Sequence, residues 1–200
     1  MKPLTKQVHD FLGKTALLGE TVIDATAGNG YDTLFLAQCV GSQGKVFAID
    51  IQQEAIDHTN LRLTEAGYNH ATCIKGSHAE MLSLLPENLI GEVAAITFNL
   101  GYLPGGNKAI TTQIESTLLA LETSTQLLKP SGFLTILAYT GHPGGREEAD
   151  SIFEFAKRLP ANEFIFHEHS PTPLVINSPR FFAIQRKETR FPSEVSLKQK

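Results

Sequence analysis

TVIDATAGNGYDT, Thr21 to Thr33, is a strand-like run that breaks into a glycine turn and resumes with helical spacing. Its opening residues are apolar, small or β-branched, as in a strand buried on both faces of a parallel sheet. Gly28 and Gly30 let the chain turn sharply and let a ligand approach the backbone. The helix that follows, YDTLFLAQCV from Tyr31, begins with free N–H groups that favour an anionic group such as a carboxylate. Asp24 stands at the strand's end, placed to receive an ammonium directly or through water. Ala27, Gly28, Asn29 and Gly30 are the turn's contact candidates. At Asp32 and Thr33, helix capping and ligand contact are both open readings.

Outward from this turn the same alternation repeats. KVFAID from Lys45, ATCIKG from Ala71, VAAITFN from Val93 and GFLTILAY from Gly132 read as further buried strands. Between them lie the helical patterns QEAIDHTNLRLTEAG, HAEMLSLL, ITTQIESTLLALETSTQLLK and REEADSIFEFAKRL. Strands alternating with helices predict βαβ units and an α/β doubly wound sheet with helices on both faces. The end of the chain breaks the rhythm. EFIFHEHS and RFFAIQRK are two strand candidates separated only by PTPLVINSP, so they should pair antiparallel. Five parallel strands followed by a C-terminal antiparallel pair is the Rossmann-like layout of class I S-adenosyl-L-methionine (SAM) methyltransferases. A nicotinamide-binding domain would usually end on a parallel strand.

Asp50 closes the second strand twenty residues after Gly30, positioned to accept both hydroxyls of a ribose. Gln52 follows at the next helix start. KGSHAE sets Ser77 and His78 at the sheet's carboxyl edge, where an adenine would rest, although Ser77 reads equally well as a helix N-cap. Thr33 occupies the place of the usual third glycine, and an acidic Asp24 suits a ligand carrying an ammonium better than a pyrophosphate. SAM is favoured over NAD on charge as well as topology.

The fourth strand runs into NLGYLPGG, Asn99 to Gly106, beside the switch point where doubly wound sheets bind ligands. Asn99 can accept a hydrogen bond from a target N–H, as can a carbonyl at Leu100 or Gly101, and so align a nitrogen lone pair with a sulfonium methyl. Tyr102 offers a ring on which a flat base can stack. Pro104 stiffens the loop. A second unusual loop, YTGHPGGREE from Tyr139, emerges on the same edge; there Tyr139 and His142 can line a substrate pocket, His142 can relay a proton, and Arg146 can meet phosphate. Lys108, Arg180 and Arg186 are the other candidate phosphate contacts, each equally readable as solvated surface charge.

DATAGNGYDT, NLGYLPGGNK and YTGHPGG together resemble a family of small bacterial SAM-dependent methyltransferases formerly labelled rRNA methylases. Those enzymes are tRNA methyltransferases that convert 5-aminomethyl-2-thiouridine at the wobble position to 5-methylaminomethyl-2-thiouridine. The resemblance spans nearly the whole chain, and the second and third motifs are far more specific than the first. It implies the class I fold, SAM as methyl donor and a tRNA anticodon stem-loop as substrate; homodimers are usual among relatives. By resemblance Asp24, Gly28, Asn29, Gly30, Asp32, Asp50, Ser77 and His78 serve the cofactor, while Asn99 and Tyr102 form the methyl-transfer loop. Gly101 departs from the broader amino-methyltransferase motif, which has proline there.

Composition sets the remaining bounds. Two hundred residues, 42% apolar and 19% charged, suit one globular domain, expected over residues 1–188 with an N-terminal helix and a polar tail over 189–200. A net charge of −4 gives no global pull toward nucleic acid, so an RNA site must be a local patch. Cys39 and Cys73 lack metal-ligand spacing and read as buried reduced thiols, with no metal expected. No stretch reaches membrane-span length and the first residues lack a signal peptide's apolar centre, which makes a cytoplasmic location the default. Three rival readings stand beside the tRNA enzyme: methylation of rRNA or a small amine, a SAM-binding module without catalysis, and, weakest, a dehydrogenase.

Overall fold

The computed structural model describes residues 4–15, 17–169 and 178–188. Val22 and Ile23, neighbours in β1 (Thr21–Asp24), are both fully buried yet belong to two different cores. A strand turns successive side chains to opposite faces, so this is the signature of a sheet covered on both sides. One core takes Val8 and Leu12 of α1 (Leu4–Leu12), Leu36 and Val40 of α2 (Tyr31–Val40) and Leu63 of α3 (Gln53–Glu65). The other takes Met81 of α4 (Met81–Leu84), Leu121 of α5 (Ile114–Leu127) and Ile152 of α6 (Gly145–Arg158).

The remaining strands are β2 (Lys45–Asp50), β3 (Ala71–Lys75), β4 (Val93–Leu100), β5 (Leu128–Ala138), β6 (Phe164–Glu168) and β7 (Arg180–Arg186). They form one seven-stranded sheet in the order β3-β2-β1-β4-β5-β7-β6. β1 to β5 are parallel, and β7 pairs antiparallel with both β5 and β6. The expected C-terminal pair is therefore present, with β7 inserted between β5 and β6, so that β6 runs in the direction of the first five. The adjacent Phe181 and Phe182 of β7 feed the two cores in turn, as Val22 and Ile23 do. Truncating the fully buried Phe182 to alanine would cost about 3–5 kcal/mol.

Three elements depart from their sequence patterns. The helix expected from Ile110 begins at Ile114, because Thr112 N–H donates to the Gly101 carbonyl (2.9 Å) and Thr111 bridges Tyr102. HAEMLSLL divides into a 3-10 turn, His78–Glu80, and the short α4. β5 starts at Leu128, ahead of the expected Gly132, with an irregular register between Val93 and Ala95 of its partner. Both cysteines are free and half-buried rather than fully buried. The 189–200 segment and most of PTPLVINSP lie outside the described residues. No helix among the described residues is long and apolar enough to cross a membrane.

Candidate active site

The strand order reverses between β1 and β4, and a doubly wound sheet opens a crevice at the carboxyl ends of the strands flanking such a reversal. A cavity of about 700 Å³ lies there, in the range of small-molecule sites. Of the residues singled out in the sequence, Ala27, Gly28, Asn29, Asp32, Asp50, Gln52, Ser77, His78, Asn99, Gly101, Tyr102, Pro104, Tyr139 and His142 line it.

The turn after β1 is held by backbone groups and by α3, where Thr59 Oγ1 donates to the Gly28 carbonyl (3.2 Å) and Arg62 Nε to the Asn29 carbonyl (2.7 Å). Ala27 N–H donates to the Ile49 carbonyl (2.9 Å) and Gly30 N–H to the Ala27 carbonyl (2.8 Å). Asp50 accepts from the Gly28 N–H on one carboxylate oxygen and from the Gln52 N–H on the other, each at 2.9 Å. Burial raises the Asp50 pKa above the ordinary carboxylate value, and these N–H donors oppose the shift. Gly30 does not face the cavity. Its φ of 78° and its neighbour explain it instead, since a Cβ there would lie 2.8 Å from Thr59 Cα of α3. Glycine at 30 is set by helix packing.

Asp24 and Thr33 also stand behind the wall. Both are fully buried, and Thr33 Oγ1 donates to Asp24 Oδ2 at 2.6 Å. Burial first, and then the nearby Asp32 charge, push the Asp24 pKa up to about 7. The reading that Asp24 meets a ligand's ammonium directly is corrected by this geometry. The acid that reaches the cavity on this side is Asp32.

At the carboxyl end of β3, Ser77 Oγ accepts from the Ala79 N–H (3.2 Å), so the N-cap role is real, while the residue also lines the cavity. His78 is buried edge-on to Phe98, with Nε2 3.3 Å from Ser116 Oγ. Burial lowers its pKa below the usual 6.5, which keeps the ring neutral at pH 7.

At the mouth of β4, the Asn99 backbone N–H donates to Thr26 Oγ1 (2.7 Å) and its side-chain Nδ2 donates to Asp32 Oδ2 (2.6 Å). A carboxylate only accepts, so this bond fixes which end of the carboxamide is nitrogen and leaves Oδ1 as the end available to a ligand. The other Asp32 oxygen is bonded to His9 Nε2, whose ring stacks on Phe35 at 3.9 Å. Asn29 ties the two loops together, its Nδ2 donating to the Pro104 carbonyl (3.1 Å) and its Oδ1 accepting from His58 Nδ1 (3.1 Å). Tyr102 meets the His142 ring edge to face (6.3 Å between centroids) and has Lys108 Nζ 5.6 Å from its own centroid. Burial, aided by the Asp32 charge, raises the Tyr139 pKa, so its phenol stays protonated at neutral pH. His142 Nδ1 donates to the Pro143 carbonyl (3.0 Å), and its Nε2 is buried without a hydrogen-bond partner among the described residues.

A family model described as "Putative rRNA methylase" matches residues 46–185, well over half of the chain. The chain belongs to this family. It is 42% identical over 173 residues to the Arabidopsis thaliana protein named tRNA (mnm(5)s(2)U34)-methyltransferase, chloroplastic, covering 82% of this chain and 62% of that relative's length. A solved structure from Clostridium thermocellum described as a "putative rRNA-methylase" superposes with a TM-score of 0.87 at 36% identity, covering 93% of this chain and 98% of the other. A Streptococcus mutans protein described as "a putative methyltransferase", solved in complex with SAH, gives 0.82 at 29% identity, covering 93% and 99%. The fold is that of class I SAM-dependent methyltransferases.

The basic candidates of this family member separate into two pairs. Lys108 and Arg146 are exposed and do not line the cavity, but Lys108 stands beside Tyr102 of its wall and Arg146 lies in the first turn of α6, four residues after the lining His142. Arg180 is committed elsewhere, donating to Glu168 Oε1 (2.8 Å) and Asp150 Oδ1 (2.6 Å) with its guanidinium over Phe153 and Phe182. Arg186 donates to the Leu128 carbonyl at the opposite edge of the sheet, so neither arginine reaches the cavity.

The sequence reading missed Thr5 and His9 of α1 and the strap Ile110–Gln113, all of which line the cavity. It also missed Glu148, buried in α6, which accepts from Thr112 Oγ1 (2.8 Å) and Thr117 Oγ1 (2.7 Å) and so holds the strap down. The available signal for α1 was its amphipathic spacing with a histidine beside the buried Val8. Nothing in that spacing distinguishes a cavity-facing histidine from a surface one.

Proposed function

We propose that this chain transfers a methyl group from SAM to an amine, and that the amine is the 5-aminomethyl group of a tRNA wobble uridine, with or without its 2-thio group. The product is the 5-methylaminomethyl uridine. The observation that carries this reading is the Asn99 carboxamide, a cavity-lining group turned by Asp32 so that its oxygen is left to a ligand. The name of the Arabidopsis relative supports the choice of amine and of tRNA, and SAH in the Streptococcus mutans neighbour supports the donor.

The residues present fit SAM. Asp50 sits fixed by two backbone N–H groups where a ribose diol would be received, the Gly28 turn leaves its backbone open, and neutral His78 with Ser77 borders the base side. When bound, SAM supplies an electrophilic methyl on a sulfonium. The chain must present the acceptor as a free base. An unperturbed alkylammonium has a pKa of about 10.4, so deprotonating it at pH 7 costs about 4–5 kcal/mol. Burial in the cavity lowers that pKa, and the adjacent sulfonium lowers it further. Asn99 Oδ1 accepts one N–H of the neutral amine and aims its lone pair, while Tyr102 supplies a face for the pyrimidine.

Lys108 and Arg146 are the rim cations available to the anticodon phosphates of a cytoplasmic tRNA. The test is nucleoside mass spectrometry of tRNA lacking the final methyl, before and after incubation with the chain and SAM. rRNA and free alkylamines serve as competing substrates, because the family's description names rRNA. A 14 Da gain confined to the 5-aminomethyl nucleoside is the expected result. A gain on rRNA alone would replace this reading with the rRNA one.

A further inference from the structure

We infer that α1 completes the methyl-transfer site, with His9 a positioning residue that acts through Asp32 to fix the orientation of the Asn99 carboxamide. The inference rests on the reading of Asn99 as the group that holds the acceptor amine.

An asparagine amide has two orientations of nearly equal shape and opposite hydrogen-bonding sense. With Oδ1 toward the acceptor, an amine N–H finds an acceptor and its lone pair is left free. With Nδ2 there, a donor faces the amine and competes for the lone pair that must form the new bond. Asp32 decides between these, because both of its oxygens accept and neither donates. Asp32 lies in the first turn of α2, where the free N–H groups of the helix start also attract a carboxylate. Something must hold it toward Asn99 instead. His9 does so, taking Oδ1 and leaving Oδ2 to Asn99. The imidazole is itself fixed flat against Phe35, with 3° between the ring planes. Three elements distant in sequence thus form one chain, from α1 through the start of α2 to the end of β4, and all three side chains line the same cavity.

The His9 ring nitrogen in the chain is Nε2, so glutamine, whose Nε2 reaches a similar distance, should replace it and alanine should not. The experiment measures kcat, KM for SAM and melting temperature on the full chain with aminomethyl-bearing tRNA, for Asn99→Ala, Asp32→Asn, His9→Ala and His9→Gln. Asp32→Asn is expected to lower kcat about 100-fold, since an amide partner permits both Asn99 orientations, and His9→Ala about tenfold. KM for SAM should stay within about threefold in both. His9→Gln should recover most of the kcat lost in His9→Ala.

The inference is overturned if His9→Ala keeps full kcat, or if His9→Gln is as slow as His9→Ala with an unchanged melting temperature. Should His9→Ala fail to fold, the comparison of His9→Gln with Asp32→Asn decides, because only the latter should be slow. The two readings fail separately. Turnover surviving in Asn99→Ala would sink the assignment of Asn99 itself, whereas loss there with unimpaired Asp32→Asn and His9→Ala sinks only the relay.

Discussion

At the mouths of β1 and β2 the side chains that brace the cavity wall, Asp50, Thr59 and Arg62, bond to the backbone of one turn, whereas at the mouths of β4 and β5 the wall depends on side chains from distant elements bonding to one another. The first region is built from the Gly28 turn, Asp50 and the α3 side chains that hold the turn's carbonyls. The second needs His9 from α1, Asp32 from α2, the strap before α5 and Glu148 from α6. A nucleoside presents the same diol and base edge to every enzyme that binds it, and one local turn can meet them. An acceptor nitrogen must be aimed within a fraction of an ångström, and such aim is imposed from several directions at once.

The sharpest way to break this comparison is to strike each region once. Asn99→Ala is expected to lower kcat by about 1000-fold or more, the scale of losing an aimed near-attack geometry, while SAM affinity measured by calorimetry changes less than about threefold. Asp50→Ala should do the reverse, weakening SAM binding by about 2–3 kcal/mol, as for a charge-assisted hydrogen-bond pair, with kcat at saturating SAM much less affected. Equal losses of both quantities in both variants would erase the division.

Beneath the first region, Asp24 gives a pH test. Its folded pKa, about 7, lies above the unfolded value of 3.8. Stability from this group is therefore full below about pH 4 and falls as pH rises to 7, where the unfolded chain ionises and the folded one resists. Asp24→Asn cannot ionise. Urea titrations should show its stability matching the native chain near pH 4 and exceeding it by about 4 kcal/mol above neutrality. A pH-independent difference would mean that Asp24 is ionised in the folded chain.

Gly30→Ala strains the same turn through its φ of 78° and its approach to Thr59. It should lower stability by about 1–3 kcal/mol, read as an earlier urea midpoint. The smallest effect concerns the rim. Replacing Lys108 and Arg146 by alanine should each reduce the slope of log K against log salt for tRNA binding by about one, while Arg186→Ala leaves it unchanged. A slope that responds to Arg186 would move the RNA surface to the other edge of the sheet.

Much of this was legible because it is local. The period of the strands, Gly28, Asp50 twenty residues beyond Gly30, and the absence of room for a helix before β7 each speak within a short window of sequence. Ser77 carried its capping role in its own spacing. The false steps share a cause. Asp24 was read as ligand-facing because it ends a strand, yet Thr33 covers it. Arg180 was read as free because it is basic, yet Glu168 and Asp150 take its charge. Ile110–Gln113 was read as helix because its pattern continues that of α5, yet Gly101 and Glu148 draw it off.

What the sequence by itself determined is the α/β class, the antiparallel ending and the glycine turn that opens on the cavity, since periodicity and glycine spacing act over a few residues. Only the tertiary structure decided which carboxylate faces the cavity and which way the Asn99 amide points. Those depend on His9 meeting Asp32 across 23 residues of chain and on Asp32 meeting Asn99 across 67, and no local pattern records a contact made at such a separation.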